Sequence, residues 1–172
     1  DYGLPEEAQI LAHEIQASSS IPMVGVLGNH DYESGRASEV RKTLLDVGVT
    51  ILDGDSCEVG GVGFVGVKGF CGGFGKRLVE PWGEKQLKEF VHVTVDEALK
   101  LEKALSRLSE GTCVAIMHYA PSEATVRGEP LEIYPFLGSS RLEEPLAKRS
   151  VAAVFHGHAH HGSLEGRTAG GV

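Results

Sequence analysis

Residues able to bind a metal or move a proton gather in three places along the 172 residues, and each place follows an apolar run. Phe155-His156-Gly157-His158-Ala159-His160-His161 carries four imidazoles directly after Val151-Ala152-Ala153-Val154. Cys113-Val114-Ala115-Ile116-Met117 runs into His118-Tyr119, and the run from Ile21 to Leu27 ends in Gly28-Asn29-His30-Asp31. Imidazole nitrogen with a hard carboxamide oxygen suits borderline first-row cations such as manganese, iron or zinc. His30, next in the chain to Asn29, cannot easily turn to the same atom, so it is better placed for proton transfer. Singly, each segment also has a plain reading. Asn29-His30 reads as a turn with an exposed histidine, His118 as a satisfied histidine at a strand end, and the last tract as a metal-scavenging run. Position joins them, because functional groups in an open α/β sheet collect beyond the carboxyl ends of the strands. Three strand ends then make one site. Alternation along the chain leaving the third strand lets His158 and His160 converge on one point. Ligands drawn from three segments describe a site built by the fold and not a local structural zinc clip.

The elements that must hold these groups follow from periodicity and punctuation. Pro5-Glu6-Glu7 opens a helix, with proline and acids in its first turn. Ile21 to Leu27 reads as a buried strand. Ser34 to Val47 reads as a second helix, with Val40, Leu44, Leu45 and Val47 on one face and Gly48 as its C-cap. Val49 to Leu52 is a strand, and the strands Ser56–Val59 and Val62–Val67 flank the hairpin signal Gly60-Gly61. Glu84 to about Leu108 is helical with an apolar stripe of Val95, Ala98, Leu101, Leu105 and Leu108. The capping-box spacing of Thr94 to Glu97 predicts a break near His92. Residues 119–138 form a long irregular loop, and Ser140 opens another helix with Glu143 three positions on. Helices alternating with strands give the α/β class.

Bulk properties narrow the classes. The length suits a single domain over residues 1–172. Glycine is high, 23 of 172, which fits many tight loops. A net charge of −8 argues against nonspecific nucleic-acid binding. It leaves phosphate substrates open, since bound cations supply a local positive field. Cys57, Cys71 and Cys113 have no CxxC spacing and read as reduced thiols. No apolar run reaches the ~18 residues of a membrane span, so a cytoplasmic protein with no membrane partner is expected. The start at Asp1 without methionine and the stop at Gly170-Gly171-Val172 lead us to expect truncation at both ends.

Gly28-Asn29-His30-Asp31, Met117-His118-Tyr119 and Gly157-His158-Ala159-His160, in that order, resemble the last three motifs of the calcineurin-like metallophosphoesterases. The resemblance spans essentially the whole chain. It implies a metallophosphoesterase-like layered sandwich of mixed β-sheets flanked by helices. It also implies two divalent or trivalent metal ions, with Asn29, His118 and His158 on one and His160 on the other. His30 would act as the general acid on the leaving oxygen, with Asp31 counted among the catalytic residues. A hydroxide shared by the two metals would attack phosphorus in line. Asp1 resembles the closing aspartate of an earlier motif, which in the family orients the histidine corresponding to His30. The family's Asp-x-His and Gly-Asp-x-x-Asp motifs are not in this chain, so no bridging aspartate is present.

The expected function of the longer parent protein is dimetal-dependent hydrolysis of phosphomonoesters or phosphodiesters, with a small-molecule or nucleotide phosphate ester as substrate; without the bridging aspartate, these 172 residues alone are expected to be inactive. The alternative is a non-catalytic binding module on the same fold with an incomplete metal site. Gly69 to Gly75 fails the P-loop spacing, because Phe70 stands where glycine is needed and Arg77 where serine or threonine is. It reads either as a mobile loop at the site mouth, with Lys76, Arg77 and Tyr119 as substrate contacts, or as a plain surface loop. Tyr32 and Arg141 are further candidate contacts.

Overall fold

The computed structural model describes residues 4–18 and 20–172. Its two sheets are flanked by helices. The first half is α1 (Pro5–Ser18), β1 (Met23–Gly25), α2 (Asn29–Glu33), α3 (Ala37–Asp46), β2 (Val49–Ile51), β3 (Asp55–Val59) and β4 (Val62–Val67). The second half is α4 (Lys85–Arg107), β5 (Cys113–Met117), α5 (Tyr134–Leu137), α6 (Glu143–Ala147) and β6 (Ala153–Phe155), with short 3₁₀ turns between them. β1 and β2 pair in parallel as one sheet. The other runs β3-β4-β5-β6, antiparallel between β3 and β4 and parallel from β4 to β6.

The large core lies between the four-stranded sheet and α4. Cys113, Ala115 and Met117 alternate inward along β5, Val65 and Val67 do so on β4, and all meet Leu101, Ala104 and Leu105 of α4 with Leu142 and Leu146 below. A second core joins α1 and α3 to the small sheet through Ala8, Leu27, Val40, Leu44, Val49 and Ile51. The two sheets pack tightly at Gly66, where a Cβ would lie 2.7 Å from both Leu52 Cβ and Val26 Cγ1. Only glycine permits that approach, so its place in a strand interior has a packing reason.

Several expectations are corrected. The long helix does not break near His92; α4 is continuous over 23 residues. Its buried stripe includes two polar residues, Thr94 and Glu97. Thr94 Oγ1 donates to the carbonyl of Cys71, and Glu97 Oε2 accepts from Gly69 N–H at 2.8 Å. The capping-box spacing is thus used to grip a loop. That loop is not a plain surface loop in its packing: Cys71 to Phe74 are buried, and Gly72 and Gly73 N–H donate to the carbonyls of Pro135 and Gly138. The strand expected from Ile21 to Leu27 is confined to three residues, and the one expected from Val151 begins at Ala153. The second helix, expected over Ser34 to Val47, is α3, and the turn expected at Asn29-His30 is the short helix α2. Ser139, not Ser140, makes the side-chain cap before α6, accepting from Arg141 N–H. Among the described residues no helix is long and apolar enough to cross a membrane.

Candidate metal centre

β1, β5 and β6 all deliver their carboxyl ends to one region, and local backbone chemistry then aims the side chains. Beyond β1, Gly28 lies against the His118 ring, where a Cβ would be 2.9 Å from Cε1 and Nδ1. Gly28 N–H donates to Asp31 Oδ2 at 2.7 Å, closing the first turn of α2 and fixing Asn29 at its start. Asn29 Nδ2 donates to Glu33 Oε1 at 3.3 Å, one turn along, which turns Oδ1 toward His118. Beyond β6, Ala159 N–H donates to Gly157 O at 2.8 Å across His158, whose φ is +69°. His158 is the one non-glycine residue with positive φ among those described. A γ-turn of this hand is rare and strained.

Three donor atoms meet as a result. His118 Nε2 is 2.7 Å from Asn29 Oδ1 and 3.1 Å from His158 Nδ1. His158 Nε2 donates to the carbonyl of Phe136 at 3.1 Å, so Nδ1 carries the lone pair facing His118. Ligand atoms held at about 2.1 Å from one cation and at right angles lie about 3.0 Å apart, close to these separations. Two imidazoles and a carboxamide oxygen therefore fit one first-row cation. Burial, reinforced by the neighbouring His158 and Lys68, pushes His118 down to about 4. Burial also lowers His158, partly opposed by its bond to the Phe136 carbonyl. Both rings are held in the neutral form that a cation requires. The Tyr119 ring packs beneath them, 4.5 Å from His158 and 5.3 Å from His118 between centroids. Its phenol is pushed up to about 12 by burial.

The remaining predicted residues are distributed as follows. His30 is about half exposed, with Nε2 3.9 Å from Glu33 Oε1. Its charge is among those acting on His118 and His158, so it stands beside the trio without joining it. Asp31 shapes the α2 turn. His160 does not join the trio: it is exposed and lines an open groove of about 1070 Å³ between β6 and residues 162–172. The physical reason is the turn at His158, which ends the alternation that would have set both rings on one side. Among the described residues no three His, Cys, Asp or Glu side chains group tightly enough to hold a metal, and the trio depends on Asn29 as its third member. Lys76 and Arg77 lie on an exposed 3₁₀ turn and make no polar side-chain contact with the trio. Arg141 is occupied by Val79 O and Glu80. Asp1 lies outside the described residues.

Sequence reasoning passed over Lys68. β4 is the fourth strand to end here, and its apolar run stops at Lys68 as the others stop at Asn29 and His118. The His156 ring lies 2.7 Å from Thr125 Oγ1, anchoring the strand end beneath His158.

Residues 1–162 match the family model described as calcineurin-like phosphoesterase. No curated protein matches the sequence. A solved crystal structure aligns over 97% of this chain with a TM-score of 0.59 and 14% identity, a likeness of fold. The chain spans 61% of that structure's length.

Proposed function

Since the chain belongs to the calcineurin-like phosphoesterase family, we infer that it serves metal-dependent hydrolysis of phosphomonoesters or phosphodiesters. The observation that carries this reading is the convergence of Asn29 Oδ1, His118 Nε2 and His158 Nδ1. These three would hold one cation of the manganese, iron or zinc type, which when bound supplies Lewis-acid polarisation and activates water. The described residues offer no comparable second set, so a second ion is assigned only to His160 as a partial ligand. His30, exposed beside the trio, protonates the leaving oxygen. Glu33 stands within reach of both His30 and the Asn29 amide, which keeps His30 turned along α2. Asp31 holds the turn, and Asp1 is the proposed partner that orients His30. Tyr119 forms the dry floor, and Lys76 and Arg77 remain candidate outer contacts.

Metal content and manganese-dependent turnover of mono-nitrophenyl and bis-nitrophenyl phosphate, measured on these 172 residues and on a version extended upstream, test the reading, with turnover expected of the extended form. Bound metal with turnover of either ester, and loss of metal in His158→Ala, is the expected result. Metal content unchanged in His158→Ala removes its ligand role, and no metal binding at all removes the enzyme reading. One observation favours the second reading, a binding module: no carboxylate joins the neutral trio among the described residues.

A further inference from the structure

The end of β4 supplies a cation that the phosphoesterase reading leaves unused. β4 and β5 run parallel with Val67 opposite Met117, so Lys68 and His118 are the first residues beyond adjacent strand ends. The two are tied through the backbone, because His118 N–H and Tyr119 N–H both donate to Lys68 O at 3.1 Å. The Lys68 ammonium sits 4.8 Å from the Phe70 ring centroid, 5.0 Å from that of Tyr119 and 5.4 Å from that of Tyr32. It donates to Gly69 O at 2.9 Å. The Tyr119 ring is shared, since it also packs on His158 and His118. One aromatic ring therefore touches both this amine and the two imidazoles of the trio.

What Lys68 lacks is a carboxylate. Lys42, Lys85, Lys100 and Lys148 each pair with an acid. Among the described residues Lys68 has none within ion-pair distance. Glu97, the acid whose charge acts on it most, is committed to Gly69 N–H and to Lys100. A half-buried ammonium whose direct contacts are ring faces and one carbonyl, with Glu97 and Asp53 acting on it only from a distance, is under-compensated, and an anionic oxygen would complete it. Its position is also fixed in advance: Glu97 and Thr94 of α4 grip residues 69 and 71 on either side of Phe70. Preorganisation of that kind lowers the cost of binding.

We propose that Lys68 binds a non-bridging oxygen of the substrate phosphoryl group and favours the doubly charged phosphomonoester over the singly charged diester. This rests on the phosphoesterase reading. The neutral trio brings no negative charge of its own, and a cation on its β4 side completes a site suited to a dianion.

The test compares the full chain with Lys68→Met, which keeps the stem and removes the charge, and with Lys68→Arg, which keeps the charge. KM and kcat are measured for mono-nitrophenyl and bis-nitrophenyl phosphate, with inorganic phosphate as competitive inhibitor, at low and high salt and at matched metal content. In Lys68→Met the monoester KM and the phosphate inhibition constant rise about tenfold, the scale of one charge-assisted hydrogen bond, while kcat and the diester KM move less than about twofold. The salt dependence of the monoester KM shrinks in Lys68→Met and is kept in Lys68→Arg. Equal shifts for both esters, or none, with metal-dependent turnover intact, overturn the role of Lys68 and leave the phosphoesterase reading standing. No metal-dependent turnover or phosphate binding by the parent chain overturns both. Should Lys68→Met fail to fold, Lys68→Gln is judged by the same split.

Discussion

His158 holds a conformation that its residue type disfavours, and the strain has a use. At φ +69° a side chain with a Cβ costs on the order of 1–2 kcal/mol relative to glycine. The turn nevertheless points Nδ1 at His118 and Nε2 at the Phe136 carbonyl. His158→Ala keeps the strain and loses both contacts, while His158→Gly loses the contacts and relieves the strain. Metal-free His158→Gly is therefore expected to be more stable than His158→Ala by roughly 1 kcal/mol in urea unfolding, with metal binding weakened in both. Equal stability of the two variants would show that the backbone is relaxed there. Asn29 illustrates the same economy without strain: a hydrogen bond from its Nδ2 to Glu33 decides which end of the amide faces the imidazoles.

At the scale of elements, the trio is split between two sheets, Asn29 following the small one and His118 and His158 the large one. The site is only as well defined as their mutual packing, and Gly66 is a tight point of that packing. Gly66→Ala would place a methyl against Leu52 Cβ and Val26 Cγ1, and Leu52 Cβ cannot rotate away. We expect destabilisation of about 1–3 kcal/mol by overpacking. Metal affinity should fall as well, because Val26 leads within three residues to Asn29. Calorimetry of unfolding and of manganese binding on the same variant separates the cases. Lost stability with unchanged affinity would mean that the trio is positioned independently of the sheet contact.

For the whole molecule, the buried neutral imidazoles tie stability to pH. His118 is depressed to about 4 from an ordinary value of 6.5, and His158 is depressed as well. A histidine whose folded value is lowered is protonated first in the unfolded chain. Its contribution is thus fully present above about pH 6.5 and is lost as pH falls toward 4. Metal-free protein should lose at most about 3 kcal/mol of stability from His118 across that window, less after allowance for its partial exposure. His118→Gln should flatten the profile. A wild-type profile that is flat between pH 6.5 and 4 would place the ring in water. Metal should steepen and raise the profile, since a ligand bound only to the folded state adds about 2.7 kcal/mol at one hundred times its dissociation constant.

The donor types and their places at strand ends were legible in the sequence because both are local. An apolar run of strand length followed by Asn29, His118 or His158 needs no knowledge of the rest of the chain, and parallel packing then gathers the ends at one edge. Burial of Thr94 and Glu97 was not legible, since their spacing also fits a helix start and only packing against residues 69–71 selects the other use. The departure of His160 depended on a single backbone angle at His158, set by long-range bonds to Phe136 and His118 that no window of sequence contains. Lys68 lay between these cases: its strand-end position could be read, but its enclosure by Tyr32, Phe70 and Tyr119 could not. By itself the sequence determined which atoms were available and near which edge. Tertiary structure decided which of them meet, because meeting depends on angles and burial fixed by contacts between residues far apart in the chain.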